Sequence, residues 1–187
     1  GNIIRDCGTG VAFAGGILQL SICNNIITAI NHAKGSGATG YGLYGTSAAS
    51  GTSGKDITIS GNVVQGCTRE GLFLATNASG IWTSVTIVGN TISQNATSTA
   101  AAQNGVRIDD ATKIVFSNNV VYQNGNTTVP NAALRLTAVS SSIISGNLLD
   151  NSHINNVAMT TDGTCSDLVV INNLCYRLGG GNLVQVQ

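Results

Sequence analysis

One asparagine recurs along this chain in a constant setting, preceded by Gly or Asn and followed by two mostly apolar residues. The seven copies are Gly1-Asn2-Ile3-Ile4, Asn24-Asn25-Ile26-Ile27, Gly61-Asn62-Val63-Val64, Gly89-Asn90-Thr91-Ile92, Asn118-Asn119-Val120-Val121, Gly146-Asn147-Leu148-Leu149 and Asn172-Asn173-Leu174-Cys175. Successive second asparagines are separated by 23, 37, 28, 29, 28 and 26 positions. A period in the twenties with loose insertions marks a solenoid, in which one repeat cannot bury its apolar face alone and stacks on its neighbours to do so.

The residues around each Asn say what kind of solenoid. Three places before it stand Ile22, Ile59, Ile87, Phe116, Ile144 and Val170, and five places before it Leu20, Ile57, Val85, Ile114, Ser142 and Leu168. Ser21, Thr58 and Thr86 lie between them, so the alternation has a period of two and predicts a half-buried strand. A second short strand follows about ten residues after the Asn, or more where a loop intervenes: Val11-Ala12-Phe13, Leu72-Phe73-Leu74, Val106-Arg107-Ile108, Leu134-Arg135-Leu136 and Val157-Ala158-Met159. Short strands with no helical pattern between them wind as a parallel β-helix, with coils about 4.8 Å apart. Stacked at that spacing, the Asn side chains form a ladder, each amide donating to one neighbouring coil and accepting from the other. An Asn at a corner also tolerates the left-handed backbone conformation.

Composition agrees with this and removes other classes. With 42% apolar and 9% charged residues, the chain buries a core and lacks the charge excess of a disordered segment. Eight basic and eight acidic residues cancel, which leaves no electrostatic footprint for nucleic acid. No apolar run reaches the roughly 20 residues of a membrane helix, so no membrane insertion is expected. Five cysteines without metal-type spacing are read as reduced core residues. His32 and His153 lie in different parts of the repeat and form no ligand cluster, so no metal site is expected. Both ends lack a polar cap. The expectation is therefore a single β-helix domain over residues 1–187, taken from a longer protein, with residues 34–55 as a loop insertion.

The repeated Ile-x-Gly/Asn-Asn-x-Ile signature resembles the right-handed parallel β-helix superfamily, which includes pectate lyases, polygalacturonases, alginate lyases and phage tailspike depolymerases. The resemblance covers nearly the whole chain. It implies an all-β, single-stranded right-handed β-helix of about seven coils. It also implies a carbohydrate-active protein at the cell exterior or virion surface that binds and cleaves an extracellular polysaccharide. Tailspikes add a homotrimer to these implications. The alternative from a different class is a non-catalytic shaft or adhesin, and the scarcity of carboxylates favours it.

Candidate site residues follow from the outward positions. In the second strand set these read Ala12, Tyr44, Phe73, Arg107, Arg135 and Ala158. Aromatic faces pack on sugar rings, and guanidinium groups fork onto carboxylates or hydroxyls, so Tyr44, Phe73 and Arg135 are substrate-binding candidates. Asp109, two residues after Arg107, emerges on the same face. A glycoside hydrolase needs two carboxyls about 5–5.5 or 6.5–9.5 Å apart, and Asp109 with Glu70 or Asp110 is the pair available. A lyase would use Arg107 or Arg135 as base, with Asp109 and Asp110 holding calcium as the one cofactor considered. The plainer account of Asp109 is an ion pair with Arg107 or Arg135. Three places after the ladder Asn, Tyr122, Asp150 and Tyr176 form a further outward patch, read as a second sugar subsite or a subunit contact. The segment 34–55, with shorter loops at 97–104 and 126–131, is expected to wall the groove.

Overall fold

The computed structural model describes residues 1–31, 40–47, 54–76, 80–96, 104–122, 124, 132–151, 157–177 and 184–186. Every strand pairing is parallel, and each pairing joins one coil to the next. Three walls result. The first stacks seven strands: Ile3–Arg5, Ile26–Thr28, Val63–Gln65, Thr91–Ser93, Val120–Tyr122, Leu148–Asn151 and Leu174–Arg177. The second stacks Val11–Ala14, Leu43–Thr46, Leu72–Ala75, the first halves of Val106–Ser117 and Ala132–Ser145, then Val157–Thr161 and Val184–Val186. The third stacks Leu20–Cys23, Lys55–Ser60, Trp82–Val88, the second halves of the two long strands, and Ser166–Ile171. Asp110, Lys113, Ala138 and Ser141 take positive φ inside the long strands, which bends one strand into two walls. Seven rungs occur in the first wall and six in the third, so there are fewer complete coils than the seven expected.

The asparagine ladder is continuous. Each Asn Oδ1 accepts both the backbone N–H and the Nδ2–H of the Asn one coil earlier, as in Asn62 to Asn90, Asn90 to Asn119 and Asn119 to Asn147, at 2.9–3.0 Å. The other Nδ2 hydrogen goes back to a carbonyl of the preceding coil, such as Ile22 for Asn62 and Ile59 for Asn90. Buried side-chain amides are thereby satisfied on every rung. The left-handed residue is the one before each ladder Asn. Asn24, Gly61, Gly89, Asn118, Gly146 and Asn172 all have φ between 54° and 65°, which is why that column holds only Gly and Asn.

The inward columns are as expected, from Ile22 through Ile59, Ile87 and Phe116 to Ile144, all buried. Val170 departs from them: it is exposed in the last rung of its wall. Five residues after the ladder Asn a second, shorter ladder appears. The backbone N–H of Cys67 donates to Asn95 Oδ1, and Asn95 donates through N and Nδ2 to Asn124. All five cysteines are free. Among the described residues no helix is long and apolar enough to cross a membrane. Within the segment expected as a loop, Leu43–Thr46 forms a wall-two strand, while 34–39 and 48–53 lie outside the described residues. So do His32, His153, and 97–103 and 126–131 of the shorter loops.

Candidate functional site

A column of glycines fixes where the second wall begins. Gly10, Gly42, Gly71 and Gly105 each sit one residue before the strand, and a Cβ on Gly71 would stand 2.5 Å from Ile92 Cγ2. The chain is thus pinched against the inner side chains of wall one. That close approach sets the preceding residues, Tyr41, Glu70 and Asn104, on successive rungs, and all three are buried.

On the outer face of the second wall, register places Ala12, Tyr44, Phe73, Arg107 and Arg135 in one row. The sixth member is Thr160, because Val157–Thr161 enters opposite Ala132. Ala158, expected there, is buried instead. Around this row Tyr41 stacks on Tyr44, with centroids 4.4 Å apart and rings 9° from parallel, and Phe73 tilts against both. The Arg69 guanidinium lies 4.9 Å over Tyr41, and that of Arg107 4.8 Å over Phe73. The aromatic faces therefore meet one another and two guanidinium groups, so this surface presents phenol hydroxyls, ring edges and cationic N–H donors. Tyr41 and Arg69 were not legible in the sequence row because both precede their strands.

Arg107 forks onto Asp109, Nε to Oδ1 at 3.0 Å and Nη2 to Oδ2 at 2.8 Å. This pairing commits two of the guanidinium donors of Arg107 to Asp109. With both Asp109 oxygens engaged, only Asp110 of the expected calcium pair has a carboxylate to offer. The Asp110 carboxylate in turn accepts a hydrogen bond from the Thr76 hydroxyl. No group of three or more His, Cys, Asp or Glu able to hold a metal occurs among the described residues.

Glu70 is buried, and burial raises its pKa above the usual carboxyl range, only partly offset by hydrogen bonds from its own amide and that of Asn104 and by the charges of Arg107 and Arg69. Tyr41 is pushed up to about 12, chiefly by burial and then by the Glu70 charge. Extending the pairing of Leu72 with Val106 by two residues sets Glu70 opposite Asn104. Asp109 is five residues farther on, about 16 Å at about 3.3 Å per residue. That is an offset between backbones, and the Arg107 guanidinium that forks onto Asp109 also acts on Glu70. At Asp110 a left-handed φ of 45° turns the strand. Asp109 and Asp110 are each engaged by another side chain, so neither expected pair offers two free carboxyls.

Arg135 is half-buried beside Arg107 and makes no ion pair among the described residues. Tyr122 and Asp150 are stacked with Tyr176 as expected, but on wall one. They form a patch separate from the wall-two cluster. A cavity of about 260 Å³ at the last rungs is lined by Met159, Thr161, Cys165, Ser166, Asp167, Leu168 and Val170 and by none of the candidates.

Residues 49–186 match the family described as "Right handed beta helix region". No curated protein matches the sequence. Among solved structures, full-length tailspike protein 2 from Escherichia coli O157:H7 bacteriophage CAB120 aligns with 91% of this chain and 21% of its own, at 15% identity and a TM-score of 0.62. The A-module of a mannuronan C-5 epimerase from Azotobacter vinelandii aligns with 100% of this chain and 53% of its own, at 14% identity and a TM-score of 0.45. The chain spans about a fifth of the tailspike and about half of the epimerase module. At such identities a likeness speaks to fold alone.

Proposed function

The chain belongs to the right-handed β-helix family, and from that premise we propose that it recognises an extracellular polysaccharide on the outer face of its second wall. One observation carries the reading: the outward rings of Tyr44 and Phe73, packed on buried Tyr41, join the Arg69 and Arg107 guanidinium groups in one cluster over three successive rungs. Tyr44, Phe73, Arg107 and Arg135 line it in register, and Tyr41 and Arg69 complete it. Phenol and guanidinium donors suit sugar hydroxyls and carboxylates. Tyr122 and Asp150, on another wall, would make a second subsite. Polysaccharides of this kind lie outside cells, so the same reading assigns the protein to an extracellular or virion surface.

Binding fits the geometry better than cleavage, because Asp109 is held by Arg107 and Asp110 by Thr76. The second reading is a hydrolase in which Glu70 donates the proton; its favouring observation is a carboxyl whose burial keeps it protonated beyond the ordinary range. Incubation with bacterial capsules, O-antigens, alginate and pectin separates these readings. Retained glycan without products is the expected result. Reducing ends would establish hydrolysis, reducing ends with unsaturated uronate absorbance would establish elimination, and retention of no glycan would remove the proposal.

A further inference from the structure

The outward row of the second wall carries two guanidinium groups side by side, and only one of them is neutralised. Arg107 and Arg135 pair in register, which sets their backbones about 4.8 Å apart. Arg107 is held by both oxygens of Asp109. The Arg135 guanidinium, half-buried, makes no hydrogen bond or ion pair among the described residues. The acids nearest to it are committed elsewhere. Asp109 is taken by Arg107, and Asp162, at the end of the next rung, accepts through Oδ1 from the Ala138 amide and the Thr164 hydroxyl. Glu70 is buried two rungs away, where Arg107 and Arg69 bear on it. On either side of the two arginines the row continues with Phe73 and Thr160, which bring no charge.

Stacking does not demand this arrangement, since other rungs fill the same position with Ala12, Tyr44, Phe73 and Thr160. Two like charges on adjacent rungs repel, and partial burial of Arg135 removes some of the water that would screen them. An anion arriving from outside relieves that cost. Building on the polysaccharide reading above, we propose that Arg135 makes the site selective for acidic polysaccharides, receiving the carboxylate of one sugar unit while other units of the polymer pack along Phe73 and Tyr44. The planar guanidinium offers a carboxylate two parallel N–H donors, a two-point match that a sugar hydroxyl does not reproduce. No resident ion pair has to be broken to make this contact. A neutral polymer lying on the same row would cover Arg135 without pairing it, which costs affinity. The row thus divides into an aromatic end that accepts sugar rings and a cationic end that reads their charge.

The test starts from the polysaccharides of the panel above that the wild-type chain retains, each measured before and after its carboxyl groups are reduced to alcohols. The retained polymers are expected to carry carboxylates, and reduction is expected to weaken binding at least about tenfold, as for one lost charge-assisted hydrogen bond. Arg135→Gln should weaken the native polymer by a similar factor and bind the reduced polymer as wild type does, a dependence that a merely structural role would not produce. Arg135→Lys, which keeps the charge without the fork, should recover part of the loss. Lys113→Gln, on wall three, should leave binding unchanged and so exclude a general effect of net charge. Circular dichroism checks folding; should Arg135→Gln misfold, reduction of the polymer against the wild-type chain decides alone. Retention of a polymer that lacks carboxylates, affinity unchanged by reduction, or a folded Arg135→Gln that weakens native and reduced polymers equally would overturn the proposal while leaving polysaccharide recognition in place. Retention of no polysaccharide would overturn both.

Discussion

Two buried polar columns run along this solenoid, and they differ in kind. The first repeats one residue on every rung, and from Asn62 to Asn147 each amide donates in the same way to the next ladder Asn and to a carbonyl of the coil before. The second, at the entrance to wall two, changes at every step, from Tyr41 to Glu70 to Asn104. Asn104 Oδ1 accepts from the Ala132 amide, yet its Nδ2 has no partner, and Glu70 is held away from its usual protonation range. Repetition is what a scaffold requires, because each coil meets only its neighbours. Where a solenoid abandons its repeat in buried positions and keeps polar groups there, something other than stacking selects them. The outward aromatic and arginine cluster lies next to that second column.

The largest test of the contrast is to cut the regular column. Asn90→Ala leaves the N–H and Nδ2–H of Asn62 without their acceptor, and at about 1–3 kcal/mol for each buried unsatisfied donor the expected loss is about 2–6 kcal/mol, read by urea denaturation. Next comes the pair beside the irregular column. Arg107→Ala strands the nearly buried Asp109 carboxylate, an expected loss of about 2–4 kcal/mol, below the full value for a deeply buried pair because Arg107 is partly exposed. The double variant Arg107→Ala/Asp109→Ala should recover much of that loss; a double variant as unstable as the single one would mean that stacking on Phe73, and not the ion pair, dominates.

The pinch that sets the irregular column is the third target. Gly71→Ala forces a methyl against Ile92 and Asn95 and should cost about 1–3 kcal/mol. The smallest effect sharpens the comparison most. A carboxyl whose folded pKa is raised contributes stability that is fully present below the ordinary Glu range and lost as pH rises through the raised value. Glu70→Gln removes that loss, so the melting temperature of the variant should gain on wild type as pH increases from about 4.3 toward neutrality. Parallel pH profiles would show that Glu70 sits in the ordinary range.

How much of this could be read from the residues follows the same division. The ladder and the row of Tyr44, Phe73, Arg107 and Arg135 were legible because coil stacking turns sequence period into spatial adjacency. Tyr41 and Arg69 were not, since they belong to the turn ahead of the strand, where interval lengths vary and no alternation marks the register. The distance from Glu70 to Asp109 was hidden for a related reason: neighbouring rungs looked like neighbouring carboxyls until the offset along the strand was counted. The Gly-or-Asn residue before each ladder Asn was visible as a pattern, but its cause, a left-handed φ, belongs to the backbone.

The most direct test of the central claim is a glycan array probed with wild-type protein and with Tyr44→Ala/Arg69→Ala, at matched folded fractions. The account predicts at least one bacterial polysaccharide bound by wild type and lost in the variant. A wild-type chain that binds none, or a variant that binds as wild type does, would contradict it.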